Sequence, residues 1–192
     1  MTAAAERAPW RLALGDLAAI DEAVYRAVAA TPTPTLDRSL ARLSRAADRS
    51  VLWMGVAAGL AVTGGLSGRR AAAAGLGSVA VTSALANAGL KRIHGRPRPD
   101  AVAAGIGAGR AVAMPRSASF PSGHAASAFA FATAAGAELP VLAFPLRCLA
   151  AAVAYSRVHG GAHYPGDVIG GAVLGGAIAA AVGRGARSVL PR

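Results

Sequence analysis

Five apolar runs, almost free of charged residues, dominate this sequence from residue 51 onward. They lie at 51–68, 71–90, 122–137, 141–155 and 165–182. The second run has about the 20 residues that a helix needs to cross the hydrocarbon core of a bilayer. The sequence therefore predicts an all-α integral membrane bundle with about five transmembrane helices.

The composition supports a membrane class. Apolar residues make up 54% of the chain and charged residues only 15%, whereas about a quarter of the residues in a soluble domain are charged. The 24 glycines include the spacings Gly166-x-x-x-Gly170 and Gly171-x-x-x-Gly175, which favour close packing of helices in a bilayer. The net charge of +11 comes from cations at the ends of apolar runs, a distribution that argues against nucleic acid as a partner.

The first 50 residues differ from the rest. The stretch 12–30 is helix-like but carries Asp16, Asp21 and Glu22, each of which would cost about 2.5–3.5 kcal/mol at a bilayer centre. We therefore expect an interfacial amphipathic helix there. A second helix, at 36–49, carries arginines at helical spacing: Arg38, Arg42, Arg45 and Arg49. The predicted organisation is an N-terminal amphipathic segment at 1–50 and a transmembrane domain at 51–192.

Three polar segments interrupt the apolar runs, at 91–99, 121–124 and 156–167. The first follows the second predicted span, the second precedes the third span, and the third lies between the last two. Counting spans places all three segments on the same side of the membrane. They therefore meet the geometric precondition for a shared site.

The first two segments offer an anion site. Lys91 and Arg98 can neutralise phosphate oxygens, or they can be ordinary flanking charges of the preceding span. Ser122 is a candidate N-cap whose helix start presents free N–H groups, and Gly123 allows an oxyanion to come close. His124, in the first turn, can donate a proton to a leaving oxygen; the alternative is an interfacial histidine on an ordinary capped helix.

The third segment is predicted to place three functional side chains in one short loop and the first turn of the next helix. Arg157 can bind a phosphate through two N–H groups. His163 can act as a nucleophile or base if Asp167, four residues later, fixes its tautomer. The structural alternative, a hydrogen-bonded His–Asp pair in a loop, does not account for Arg157 in the same segment.

These residues predict phosphoryl transfer without a metal or other cofactor. The sequence has no acidic cluster with the ligands that Mg²⁺ needs and no Cys/His set with zinc spacing. An anion site with a nucleophilic histidine and an acidic histidine indicates a phosphohistidine intermediate.

The three segments together resemble the signature motifs of the type 2 phosphatidic acid phosphatase (PAP2) superfamily. The matching patterns are Lys91-x6-Arg98-Pro99, Pro121-Ser122-Gly123-His124 and Ser156-Arg157-x5-His163-x3-Asp167. The resemblance implies that His163 attacks phosphorus, that Asp167 orients it and that His124 protonates the leaving group. It also implies that five residues bind the phosphate: Lys91, Arg98, Ser122, Gly123 and Arg157. Membrane members commonly have six spans, so this chain is expected to have five or six.

The resemblance implies a lipid phosphate as substrate and the bacterial inner membrane as location. Candidate substrates are phosphatidic acid, phosphatidylglycerol phosphate, undecaprenyl diphosphate and polyprenyl-phosphate sugars such as decaprenylphosphoryl-phosphoribose, a cell-wall precursor. The positive-inside rule points the site to the cytoplasm, but the site itself requires several of those cations, so the orientation stays open, as does the oligomeric state. A non-catalytic protein that binds or flips lipid phosphates is the alternative; it would not need both histidines.

Three further residues are interpreted as accessory: His159 as a loop or substrate-facing residue, and Arg96 and Arg110 as solvated flanking charges.

Overall fold

A computed structural model describes residues 9–86, 95–115 and 117–189, with side chains described as far as residue 185. Within these ranges all regular structure is helical, which confirms the all-α prediction for this part of the chain. Short 3-10 turns at Asp48–Ser50 and Pro140–Leu142 precede two of the helices. The helices are α1 (Pro9–Ala30), α2 (Pro34–Ala46), α3 (Val51–Thr63), α4 (Gly65–Leu85), α5 (Gly123–Glu138), α6 (Ala143–His159) and α7 (Pro165–Val189).

Helix α5 is the centre of the bundle and packs against α4, α6 and α7. It is built mainly of alanine, whose small side chain and high helix propensity suit a helix that is surrounded on all sides. Ten of its residues are buried. Its fully buried large side chain, Phe131, packs on Trp53 of α3 with 5.1 Å between the ring centroids, so this aromatic pair fills part of the space that the alanines leave.

Glycines let α7 approach the backbone of α5. A Cβ on Gly171 would lie 2.5 Å from the Ser122 carbonyl oxygen, and one on Gly175 would lie 2.0 Å from that of Ala126. Both distances are too short for any side chain. The predicted small-residue spacing in this helix therefore has a direct packing role.

We expect Gly175→Ala to destabilise the bundle, because the new methyl group has to displace the α5 backbone. Overpacking of this kind costs about 1–3 kcal/mol, which should lower the Tm of the protein in detergent by several degrees. The matched control is Gly176→Ala in the same turn, where the new Cβ would lie 3.8 Å from Thr133 Oγ1. Equal Tm values for the two variants would contradict close packing at Gly175.

The start of α3, the end of α4, the start of α5, the end of α6 and the start of α7 lie at the same end of the bundle. Asp48, just before α3, bonds His124 in α5, and the Ser122 amide at the start of α5 donates to the Asp167 carbonyl oxygen in α7 at 2.9 Å. The described parts of all three predicted polar segments lie at this end. The helix termini therefore bring residues far apart in the chain to one site.

The outer surface of the bundle is apolar. Large side chains such as Val62, Val141, Phe144 and Val173 are more than 60% exposed, and soluble monomers rarely expose so much apolar surface. Among the described helices, two segments have the length and mean hydropathy to cross a bilayer: Pro140–His159 and Pro165–Gly185. The predicted count of about five spans stays a prediction.

The boundary between the first two predicted spans was wrong. The sequence placed it at Arg69-Arg70, but α3 ends at Thr63, Gly65 has a φ of +57°, and the two arginines lie one turn inside α4. The chain turns at Gly64–Gly65 because Gly65, which has no Cβ, tolerates the left-handed conformation at no steric cost. A Cβ on Gly68 would lie 2.0 Å from the Leu60 carbonyl oxygen, so the turn also requires a glycine opposite it.

The two N-terminal helices pack against the site end. Helix α2 contacts α6 and ends at Ala46, so Arg49 lies in the turn after it and not, as predicted, in the same helix. The four arginines at 38, 42, 45 and 49 are all exposed. Helix α1 touches α6 and α7 only through its second half, where Tyr25 is buried. Its residues 9–20 are exposed on all sides, including a stripe of Trp10, Leu14 and Leu17. This pattern fits the predicted interfacial helix, whereas the predicted domain boundary at residue 50 stays a prediction.

Candidate active site

His163 lies in the short loop between α6 and α7, and its ring is held between a guanidinium and a carboxylate. Its Nε2 is 3.1 Å from Nη1 of Arg98, and its Nδ1 is 3.5 Å from Oδ2 of Asp167. Because a guanidinium can only donate, Nε2 accepts and carries the lone pair. The proton then sits on Nδ1, which faces the carboxylate at a distance too long for a full hydrogen bond. This tautomer gives His163 a nucleophilic Nε2.

Asp167 is fully buried in the first turn of α7 and binds three groups besides facing His163. Its Oδ1 accepts from Arg96 Nη1 at 3.0 Å. Its Oδ2 accepts from the Ser119 hydroxyl and, at 2.9 Å, from the backbone N–H of Tyr164. With its oxygens fixed in this way, the carboxylate offers His163 a rigid electrostatic partner.

The start of α5 places an anion-binding helix terminus at the same end of the bundle. Ser122 is its N-cap, as predicted, and its side chain accepts from the Ala125 N–H at 3.5 Å. His124, in the first turn, is bonded through Nε2 to Oδ1 of Asp48 at 2.8 Å. This bond fixes the orientation of the imidazole beside the helix start.

Arg157 lies in the last turn of α6 and is only 1% exposed. Its Nη1 donates to Ser44 Oγ at 2.5 Å and its Nη2 to the Ala113 carbonyl oxygen at 3.4 Å, while its Nε has no partner among the described residues. No carboxylate in the described chain forms an ion pair with it. A buried cation without a directly paired carboxylate is costly, and an anion in contact with it would satisfy it.

The electrostatics of the loop keep His163 neutral. Burial is the main cause that lowers its pKa below the ordinary value, and the charges of Arg98 and Arg157 act in the same direction. The Asp167 carboxylate opposes them without reversing the shift. Burial also lowers the pKa of Arg98, against the charge of Asp167. A neutral imidazole is the form required for nucleophilic attack.

Three accessory predictions were wrong. His159 is not a loop or substrate-facing residue: it ends α6, is 1% exposed and bonds Thr33 Oγ1 at 2.8 Å. Arg110 is buried and donates to the carbonyl oxygens of His159, Ala29, Thr31 and Val28.

Arg96 is also more than a flanking charge, because it bridges Asp167 and Asp21 at 3.0 and 2.7 Å. Burial works against its charge, but the hydrogen bond from Arg96 to Asp21 and the Asp167 charge prevail and raise its pKa. Neither Arg96 nor Arg110 could be distinguished from a solvated cation by spacing, since their partners lie about 50 to 80 residues away in the chain.

The predicted segment 156–167 is also less of a loop than expected. Ser156, Arg157 and His159 belong to the last turn of α6, and only residues 160–164 connect it to α7. The Arg157 carbonyl oxygen still accepts from the backbone N–H groups of Ala162 and His163. The helix therefore extends into the site and its end holds the loop that carries the imidazole.

The structure brings together most of the predicted site residues. His163 contacts Arg98 and Asp167, Arg157 holds the same loop, and the Ser122–His124 helix start is joined to Asp167 through the backbone. Lys91 lies outside the described residues. In the part of the chain that is described, no group of three His, Cys, Asp or Glu side chains is placed to hold a metal ion; the metal-free mechanism stays a prediction.

Sequence reasoning missed the residues that support this site. They are Asp48 on His124, Ser44 on Arg157, and Ser119 and Arg96 on Asp167. Each lies 48 or more residues from its partner. Arg96 lies inside the first polar segment at 91–99, but at a position that the motif leaves open, and Ser44, Asp48 and Ser119 belong to no motif. The arginine spacing of α2 marked the exposed face of that helix rather than Ser44, which is buried.

Comparisons with known proteins agree with this geometry. A model of the PAP2 superfamily matches residues 72–187. Over 103 residues the chain is 41% identical to decaprenylphosphoryl-5-phosphoribose phosphatase of Mycobacterium tuberculosis, in two strains. This alignment covers 50% of the chain and 52% of that protein, so it spans about half the length of each.

Two crystal structures share the fold. A transmembrane PAP2-type phosphatidylglycerolphosphate phosphatase from Bacillus subtilis superposes with a TM-score of 0.65 at 22% identity, covering 92% of this chain and 89% of the other. LpxE from Aquifex aeolicus gives 0.66 at 22% identity, with coverages of 86% and 95%. The architecture is therefore similar over nearly the whole chain.

Proposed function

The chain belongs to the PAP2 superfamily, and on that basis we propose that it is an integral membrane phosphatase that hydrolyses a lipid-linked phosphate monoester or diphosphate. The observation that carries the proposal is the pair of guanidiniums beside His163. Arg98 touches its Nε2, and buried Arg157 has no described carboxylate partner. A phosphoryl group at this position would satisfy both cations.

The proposed mechanism has two steps. His163 Nε2 attacks phosphorus, the bond from phosphorus to the leaving oxygen breaks, and His124 gives its proton to that oxygen. Water then attacks the phosphohistidine, His124 takes a proton from it, and inorganic phosphate leaves. Arg98, Arg157 and the N–H groups at the start of α5 stabilise the charge that develops on the phosphoryl oxygens, together with Lys91 at the predicted first motif.

Asp167 stabilises the positive charge that His163 acquires during attack. Its oxygens are already fixed by Ser119, Arg96 and the Tyr164 N–H, so little reorganisation is needed at that moment. Ser122 and Gly123 contribute the helix start rather than a reacting group. These roles follow the residues assigned from the sequence.

We further propose that the bundle of α3 to α7 lies in the bacterial inner membrane, so that the site is at one surface of the bilayer. The exposed apolar side chains around the bundle and the two segments of spanning length support this arrangement. A site at the membrane surface suits a substrate whose tail stays in the bilayer while its phosphate enters between the helix ends.

The named relative supports a polyprenyl-phosphate substrate such as decaprenylphosphoryl-phosphoribose. Undecaprenyl diphosphate, phosphatidic acid and phosphatidylglycerol phosphate are the other candidates. The decisive experiment measures phosphate release from this panel by the purified protein in detergent, with and without EDTA. We expect EDTA-resistant release from at least one lipid. Binding of these lipids without any release would instead favour a non-catalytic binder or flippase.

The acid–base behaviour of His163 gives a prediction that needs no substrate. Burial lowers its pKa, so the folded protein should keep this ring neutral at pH values where an exposed histidine, with a pKa of about 6.5, is half charged. NMR titration of histidine-labelled protein should place the midpoint below that value. The resonance is assigned by its absence from His163→Asn. Arg98→Gln should move the midpoint upward, and a wild-type midpoint above 6.5 would contradict the described environment.

Asp48 should affect proton transfer to the leaving group. We expect Asp48→Asn to lower kcat by about 10-fold for substrates with alkyl leaving groups, since it weakens the bond that holds the His124 proton. The effect should be much smaller for a nitrophenyl phosphate, whose leaving oxygen needs no proton. Asp37→Asn, next to His159, is the matched control. Equal losses on both kinds of substrate would show that Asp48 is only structural.

A further inference from the structure

A cavity of about 180 Å³ borders His124, between the Asp48–Ser50 turn, the end of α4 and the start of α5. It is far larger than a single water requires. Its walls are mainly polar, with three alanines as the only apolar residues among those that line it. The hydroxyls around it come from two helices and the turn: Ser50, Thr82, Ser83 and Ser127.

These hydroxyls have unused hydrogen-bonding capacity. The Thr82 hydroxyl is buried and has no partner among the described residues. Ser83 and Ser127 face each other at 3.4 Å, a long contact for two hydroxyls. Polar groups between apolar helices are unfavourable unless they are paired. A guest with several hydroxyl groups would pair them.

The turn that closes the cavity is held in an uncommon conformation. Arg49 and Ser50 have φ values of 51° and 63°, in the left-handed region that non-glycine residues rarely adopt. Such conformations persist where the surrounding structure enforces them, and they concentrate at functional sites. Here the turn places Asp48 on His124 and puts Arg49 and Ser50 in the cavity wall.

We propose that this cavity binds the leaving alcohol of the substrate and selects a polyhydroxylated one, that is, a sugar, over a diacylglycerol or prenyl alcohol. The inference rests on the proposed function, in which His124 protonates the leaving oxygen. The leaving group must then lie against His124, and the space available there is lined by hydroxyls. Arg49 adds a cation at the wall, suited to an anionic linkage between the sugar and its lipid.

The test compares short-chain substrates with different leaving groups: a pentose 5-phosphate attached to a prenyl phosphate, a phosphatidic acid and a prenyl diphosphate. We expect wild-type kcat/KM to be highest for the sugar phosphate. Ser83→Ala/Ser127→Ala should lower that value by about 10-fold and leave the phosphatidic acid value within about twofold. If the double variant folds poorly, Thr82→Val can replace it, because valine preserves the side-chain shape. This variant should also lower kcat/KM for the sugar phosphate. Ser78→Ala, a buried serine one turn earlier in α4, is the matched control.

Two results would overturn the inference while leaving the proposed function intact. One is a wild-type preference for the diacyl or prenyl substrate. The other is a uniform loss on all substrates in the cavity variants, which would indicate a structural role for the hydroxyls. Failure of every substrate to release phosphate would instead overturn the proposed function, and this inference with it.

Discussion

Replacing His163 by asparagine should lower kcat by about 10⁴-fold or more, because it removes the atom that attacks phosphorus. Asparagine can still accept the Arg98 hydrogen bond through its side-chain oxygen, so the fold should survive. The loss should therefore appear in kcat with a nearly unchanged Tm. Phosphate release and thermal unfolding in the same detergent measure the two quantities.

The matched control is His159→Asn. His159 is as buried as His163, 1% against 2%, and lies only four residues earlier, but it bonds Thr33 and Asp37 instead of facing the site. We expect this variant to lose stability and keep most of its kcat. Rapid quenching of the wild type with labelled substrate should also trap an acid-labile adduct on His163. Turnover by His163→Asn close to the wild-type rate would exclude the phosphohistidine mechanism.

The motif residues could be found from the sequence because each carries its chemistry within a few positions. Ser122, Gly123 and His124 are consecutive, and His163 and Asp167 are four positions apart. Helical periodicity and alternation of spans then placed these segments at one end of the bundle. The structure agrees with that arrangement wherever the segments are described.

The supporting residues could not be found in this way, because their partners are set by tertiary packing. Arg110 resembles any solvated arginine in the sequence, yet it ties the end of α1 to the end of α6 through four carbonyl oxygens. The break between α3 and α4 was misplaced for a related reason. The charged pair Arg69-Arg70 predicted the end of a span. The backbone instead turns at Gly64–Gly65, because Gly65 can adopt the left-handed conformation that the turn requires.

Replacing Arg157 should give the second large effect: a loss of activity without a loss of stability. We expect Arg157→Met to lower kcat/KM by about 10²–10³-fold, the usual loss when one donor to a developing oxyanion is removed. Its stability in phosphate-free buffer should be equal to or higher than that of the wild type. The reason is that a buried guanidinium without a counter-ion destabilises the empty site, and methionine fills the same space without charge.

Adding phosphate or vanadate should raise the Tm of the wild type above that of Arg157→Met. A ligand at 100 times its Kd stabilises the protein that binds it by about 2.7 kcal/mol, so the wild type should gain and Arg157→Met should not. Arg110→Met is the matched control: it removes another buried cation, 7% exposed, that already has four carbonyl partners. That variant should be less stable than the wild type and should still respond to phosphate. If both variants lose stability equally and respond equally to phosphate, Arg157 serves the fold and the anion site lies elsewhere.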